Sequence, residues 1–249
     1  MPEDIRINAN ALSLRRQLGE DPYSPIDIFS ALGSIEDLTL VYYPLGKRIS
    51  GMCLRDEDNK IIVVNSEQTY GRQRFTAAHE LCHIYFHEDL HKVICPFAFD
   101  EKDPAEIEAN KFASYFLAPY ESLREFLSKR IQKSGRISLE NVVETEQYYG
   151  LSRQATLIRL MKEGYITEEE ASEMQTGVIK SAQGLGYDVT LYKPSSEEKK
   201  TMTLGKYVKL AEALREREAI SEGLYEQYLL DAFRPDIVYG TAENEERYD

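Results

Sequence analysis

All four of the chain's histidines stand in one row: His79, His83, His87 and His91, each four residues after the last. On a helix of about 3.6 residues per turn, residues four apart share a face. His79 and His83 can therefore turn their imidazoles toward one metal ion. Glu80 sits one position on and approaches the same place from the side. His79-Glu80-Leu81-Cys82-His83 is thus an H-E-x-x-H run. It supplies two nitrogen ligands and a carboxylate able to take a proton from a metal-acidified water, which is the chemistry of hydrolysis. Because the chain has no other histidine, a further ligand or an oxyanion donor from elsewhere must be of another residue type. His87 and His91 suit the end of the same helix, where the dipole favours an imidazole.

A hydrolytic site of this kind takes a third protein ligand and keeps a fourth position open. The helix that Pro104 opens offers Glu106 and Glu108, with Glu101 just ahead of it. Ala109 and Ala113 are small enough to let that helix approach another closely. Glu108 adjoins their stripe, which ranks it above Glu106. Two histidines and a glutamate with an open position suit zinc best, one ion per chain, with manganese or iron as other occupants. A donor for the developing oxyanion, or a substrate contact, is sought among Tyr115, Tyr120, Tyr149, Arg72, Arg74 and Arg153. The sequence does not choose among them, and packing is the commoner role for each one singly.

The elements that must hold these residues show a change of period along the chain. Ile5, Ala9, Leu12 and Leu18 recur at helical spacing over residues 2–18. A second helix is expected from Pro25 to Gly33, with Ser24 as its N-cap. Three β-rich runs follow, 38–43, 49–55 and 60–65, the last two flanking the polar turn Asp56-Glu57-Asp58-Asn59. Three short strands make a small sheet, and its apolar face requires a helix. That helix is residues 69–88, which carries the motif, with Phe75, Ala78 and Cys82 at spacings of three and four. Residues 89–102, with Cys95-Pro96, read as irregular. Helices are expected over 104–117 and 120–130, then a pair within 138–160 broken at Tyr149-Gly150-Leu151-Ser152. Thr167, with Glu170 three residues on, marks a capping box. Residues 187–192 read as a strand, 194–200 as an exposed linker, and 207–219 and 221–230 as helices. The acidic tail 241–249 is expected to fray.

The fold class is therefore α+β, a small sheet packed on the metal-binding helix. Residues 1–130 form the core, 131–193 a helical lobe and 194–249 a helical extension with the acidic tail. The extension closes onto the body or provides an oligomer seam. An extended substrate segment is expected to add to the sheet along residues 49–55.

Composition narrows the class. The 249 residues carry 30 Lys and Arg against 43 Asp and Glu, a formal net charge of −13, which argues against broad phosphate-backbone binding. The pair within 138–160 has helix-turn-helix spacing and is flanked by Arg153 and Arg159. Its first helix, however, carries Glu140, Glu144 and Glu146, so direct DNA contact is not expected. Three widely spaced cysteines do not make a disulfide framework. The start is polar rather than a leader, and no stretch approaches about 18 apolar residues, so no membrane association is expected and the cytoplasm is the expected location.

Two runs also carry a resemblance. Arg72-Gln73-Arg74-Phe75-Thr76-Ala77-Ala78-His79-Glu80-Leu81-Cys82-His83-Ile84-Tyr85-Phe86-His87 resembles the metal-binding helix of the ImmA/IrrE metallopeptidases. Glu106-Ile107-Glu108-Ala109-Asn110-Lys111-Phe112-Ala113-Ser114-Tyr115-Phe116-Leu117-Ala118-Pro119 resembles their third-ligand helix. The likeness extends over roughly residues 25–165. It implies a minimal zincin-like core with a helical, winged-helix-like lobe, His79 and His83 as zinc ligands and Glu80 as the catalytic glutamate. The Glu immediately before Ala-Asn, here Glu108, is implied as the third ligand. It further implies a site-specific endopeptidase that cleaves a helix-turn-helix repressor or antitoxin-like partner and so derepresses its genes. Where the family usually has Gly, this chain has Cys82, which is expected in the core. The competing reading is a non-catalytic metal-containing module that binds a partner or DNA, and the intact Glu80 argues against it.

Overall fold

The β-rich runs form strands at the expected bounds. β1 (Leu38–Tyr43), β2 (Ile49–Arg55) and β3 (Lys60–Asn65) bury Leu38, Leu40, Tyr42, Ile62 and Val64. The turn between β2 and β3 is held by Asp56, whose Oδ1 accepts from the backbone of Asp58 at 3.0 Å and of Asn59 at 2.7 Å. The computed structural model describes residues 3–87, 92–96, 103–131 and 135–240. His91, Glu101 and the tail 241–249 lie outside the described residues.

The sheet has five strands rather than three, in the order β4-β2-β3-β1-β5. β4 (Lys92–Pro96), in the stretch read as irregular, pairs antiparallel with β2. β5 (Met202–Gly205) comes from the C-terminal extension and pairs antiparallel with β1. β1 and β3 are parallel, and the other pairings are antiparallel. β2 is therefore an interior strand. The expectation of a free sheet edge along residues 49–55 is corrected, because β3 and β4 take both sides of β2 in this structure.

Twelve α-helices form among the described residues. The motif helix, α3 (Tyr70–Phe86), lies across β2 and β3 and buries Ala77, Ala78, Leu81, Cys82 and Ile84. Cys82 is thus the expected core thiol. Before it come α1 (Glu3–Gln17) and α2 (Ile28–Gly33). Ser24 and Pro25 do not start α2. Asp27 caps it instead, its carboxylate accepting from the backbone of Phe29 and Ser30. Ser24 is instead engaged with the Asp21 carboxylate, and the Asp27 cap fixes the helix start later than Pro25 would.

α4 (Pro104–Leu117) begins at an Asp103 cap and packs its fully buried Ala109 and Ala113 against α3. α1 covers the other side of α4, pinned by Arg15. That guanidinium is wholly buried and donates to the carbonyls of Phe116 at 2.6 Å, Asp21 at 2.6 and 3.0 Å, and Ser24. Burial lowers its pKa, opposed by Glu20 and Asp21. Arg15→Met would remove a charged donor and strand these carbonyls. The expected loss is about 3 kcal/mol of unfolding free energy, read as a lower urea midpoint.

The lobe is helical: α5 (Tyr120–Ser128), α6 (Leu139–Tyr149), α7 (Arg153–Lys162), α8 (Glu168–Met174) and α9 (Val178–Gly184). No strand forms in it among the described residues. The break between α6 and α7 falls at Gly150, whose φ of +67° suits glycine and whose position leaves no room for a Cβ beside the Arg74 guanidinium. Thr167 and Glu170 form the expected capping box on α8. Residues 187–192 are not a strand. Asp188 accepts from the Thr190 backbone at 2.7 Å and winds Thr190–Tyr192 into a 3-10 turn. After β5, α10 (Lys206–Glu216), α11 (Glu222–Asp231) and α12 (Pro235–Tyr239) form. α10 and α11 pack on one another through Ala211, Tyr225 and Leu229. No described helix is long and apolar enough to cross a membrane.

Candidate metal centre

α3 and α4 lie side by side, and their facing positions carry the polar cluster. His79 and His83, one turn apart on α3, bring their Nε2 atoms to 3.0 Å from each other. Glu106, in the first turn of α4, stands against both: Oε2 is 3.2 Å from His79 Nε2, and Oε1 is 3.3 Å from His83 Nε2. The Cys95 Sγ of β4 completes a group whose ligand atoms all lie within 4.8 Å of one another, and it donates to Glu106 Oε1 at 3.8 Å. All four side chains are buried.

The other ring nitrogens set the tautomers. His79 Nδ1 donates to Asn110 Oδ1 at 3.0 Å, which leaves its Nε2 as a lone pair. His83 Nδ1 meets His87 Nδ1 at 2.9 Å, and a proton on His83 in that bond leaves its Nε2 free as well. Two lone pairs and a carboxylate then face one point, an arrangement that calls for a cation. Zinc–nitrogen bonds of about 2.0–2.1 Å around a tetrahedral ion hold two nitrogens roughly 3.3 Å apart, close to the spacing here. The donor set fits a small divalent metal.

Burial works against ionisation of Glu106, but the His79 and His83 rings beside it outweigh that and hold the carboxyl well below the usual range. For His79, burial disfavours the charged ring, yet Glu106 and Glu80 together raise its pKa. His87 is lowered, first by burial and then by His83.

Glu80 points to the sheet side of the cluster. It is wholly buried; neither carboxylate oxygen has a partner of good hydrogen-bond geometry among the described residues, and the polar groups that face it are the Cys95 and Cys53 thiols. Burial raises its pKa against the pull of His79. β2 makes room for it with Gly51: a Cβ there would lie 2.9 Å from Glu80 Oε1, 2.5 Å from Thr76 Cγ2 and 2.8 Å from the Val63 carbonyl. The carbonyl belongs to a paired strand and cannot yield. Gly51→Ala is expected to cost about 1–3 kcal/mol, visible as a lower thermal midpoint, and to displace Glu80.

Glu108 is not part of the group. Residues two apart on a helix point about 200° apart, so Glu106 and Glu108 face nearly opposite ways. Glu108 is bound by Arg6 of α1 at 2.8 Å, which holds its carboxyl below the usual range, and reaches only within 4.0 Å of His87 Nε2. The ranking of Glu108 over Glu106 is thus corrected by geometry. The signal was in the sequence, because Glu106, Ala109 and Ala113 stand at i, i+3 and i+7 and share a face. Cys95 was missed because nothing in its run foretold a strand.

The six further candidates scatter. Tyr149 is in the core, its hydroxyl 2.8 Å from Ser122 Oγ. Arg153 is buried against Glu146 and donates to Met174 O at 2.7 Å and Ser181 Oγ at 2.9 Å. Arg74 donates to Gly150 O at 3.1 Å and Ile26 O at 2.5 Å. These three are structural. Arg159, the other arginine of the helix pair, is also turned inward onto Ser114 and Ala118 carbonyls at 3.0 and 3.1 Å. Tyr120 is exposed at the start of α5. Arg72 binds Gln154 at 3.1 Å and lines a cleft of about 870 Å³ between the sheet end and the lobe. Tyr115, under the Arg159 guanidinium, lines a cavity of about 400 Å³ whose wall includes Phe75, Ile158 and Asn110, the partner of His79.

Comparison with known families gives one match, to the IrrE N-terminal-like domain of a peptidase family over residues 36–161, just over half of the chain. None of the curated proteins compared matches it. The matched span holds the strand trio, the motif helix, β4, the Glu106 helix and the first lobe helices, and with that correspondence the chain belongs to the ImmA/IrrE family of peptidases.

Proposed function

We propose that the chain is a metal-dependent endopeptidase whose metal, zinc by ligand type, is held by His79, His83 and Glu106. The observation that carries the reading is the convergence of two imidazole Nε2 atoms and the Glu106 carboxylate beside a buried Glu80. A divalent metal there would supply the acidification of a water and the polarisation of a peptide carbonyl. Glu80 then takes the water's proton at its free carboxylate and returns it to the departing amine. Asn110 fixes the His79 ring by accepting its Nδ1–H. The cavity behind Asn110, walled by Phe75, Tyr115 and Ile158 together with Lys111, Arg159 and Glu163, has room for a large side chain of the substrate.

The substrate in this reading is a helix-turn-helix repressor or an antitoxin-like partner, as the family likeness implies, and the setting is transcription control in the cytoplasm. A net charge of −13 favours encounter with a basic DNA-binding protein. The inward-turned Arg153 and Arg159 count against direct DNA reading by this chain. Elemental analysis tests the centre: one divalent metal per chain in the wild type, and none in His79→Ala or His83→Ala. Metal that survives both changes would sink the reading. Co-incubation with a helix-turn-helix regulator encoded beside the gene then tests the substrate, by the appearance of two defined fragments.

A further inference from the structure

β4 is the edge strand beside β2, and it brings a thiol to the histidine cluster. Its Cys95 Sγ stands in the same group as His79, His83 and Glu106, which makes four candidate ligand atoms, the number that closes a structural site. Closed sets are the mark of structural metal sites, and catalytic ones keep a position for water. Yet Glu80 is buried beside this group with neither oxygen in a hydrogen bond of good geometry among the described residues, and a structural site has no use for such a group.

The strand pairing is consistent with a seated segment. β4 pairs with β2 through Gly51↔Cys95, Met52↔Ile94 and Cys53↔Val93, and the register slips between Gly51 and Ile49. An irregularity of this kind re-aims a side chain at a sheet edge. Here it falls at Cys95 and opposite Gly51, the glycine that makes room for Glu80. β4 has five residues and, among the described residues, pairs on one side only, with Ile94 half exposed. The other ligands sit on long, packed helices. Among the described residues, β4 is held chiefly through its pairing with β2.

We propose that Cys95 is a fourth and displaceable metal ligand, and that β4 is a built-in latch that fills both the water's position and the sheet edge a substrate strand would use. The proposal rests on the metal-dependent peptidase reading. On opening, β4 leaves β2, Cys95 withdraws as a thiolate with its electron pair and takes up one proton from solvent, and a water enters in its place beside Glu80. The exposed edge of β2 is then free for an extended segment of a protein substrate, which pairs by strand addition.

The test uses the full chain loaded with cobalt(II). The wild type should show a sulfur-to-cobalt charge-transfer band in the near ultraviolet and no exchangeable water on the metal by solvent-proton relaxation. Cys95→Ala should keep one cobalt, lose the band and gain an exchangeable water, whereas Cys82→Ser should keep the band. In the loaded wild type, iodoacetamide should modify Cys95 ahead of the buried Cys53 and Cys82. Cobalt bound through His79 and His83 without a sulfur band overturns the latch and leaves the peptidase reading standing. A sulfur band with Cys95 as protected as the other two cysteines makes it a permanent ligand and also overturns the latch. Failure of the histidines to bind cobalt at all overturns both readings. The wild-type band and labelling decide the matter even if Cys95→Ala does not fold.

Discussion

Glu106→Ala is expected to abolish stoichiometric metal binding, whereas Glu108→Ala is expected to leave it intact. The first removes the carboxylate that stands 3.2 and 3.3 Å from the two Nε2 atoms. The second removes a partner of Arg6 on the outer side of the same helix. Loss of a group that merely orients a ligand costs about 10–100-fold in metal affinity, so loss of a ligand is expected to exceed about 100-fold. For Glu108→Ala the expected change is small, together with up to about 1 kcal/mol of stability from an ion pair whose arginine is half exposed. Titration with a chromophoric chelator in competition reads both. Equal loss in the two variants would place the ligand set elsewhere.

Glu80→Gln is expected to lower peptide-bond cleavage by about 10²–10⁴-fold while metal content stays at the wild-type level. Glutamine has nearly the shape of glutamate, so the pocket formed by Gly51 and Thr76 is still filled. What is lost is the base. The same change should not lower the thermal midpoint, because it relieves a buried charge whose ionisation burial already disfavours. Activity lost with stability kept separates a catalytic Glu80 from a structural one. Unchanged cleavage would remove it from the mechanism.

Much of this centre could be read from residue order alone. The H-E-x-x-H spacing, the strand trio and the helix from Pro104 are local patterns with strong periods, and they stand where the sequence puts them. The third carboxylate was misplaced by proximity to the alanine stripe, where the phase of the helix decides. Glu106 shares a face with Ala109 and Ala113, and Glu108 does not. β4 and β5 were not legible for a different reason. Lys92-Val93-Ile94-Cys95-Pro96 and Met202-Thr203-Leu204-Gly205 are too short to show an alternation. They become strands because β2 and β1 offer them open edges, which is a property of the assembled sheet. Cys95 enters the metal group by that route, so its chemistry was hidden together with its strand.

The pairing of β5 with β1 has a kinetic consequence. The hydrogen bond from the Tyr207 backbone to Thr39 Oγ1 closes a loop of 168 residues. β1, β2 and β3 with α3 and α4 are made early on the ribosome and bury a core through contacts of modest range. β1, however, keeps an unpaired edge until nearly the whole chain has emerged. Loops so long close slowly, and in that interval the hydrophobic edge of Leu38, Leu40 and Tyr42 is a template for another chain. Synthesis of this protein is therefore expected to divide into an early step that gathers His79, His83 and Glu106 and a late, concentration-sensitive step in which the C-terminal arm caps the sheet.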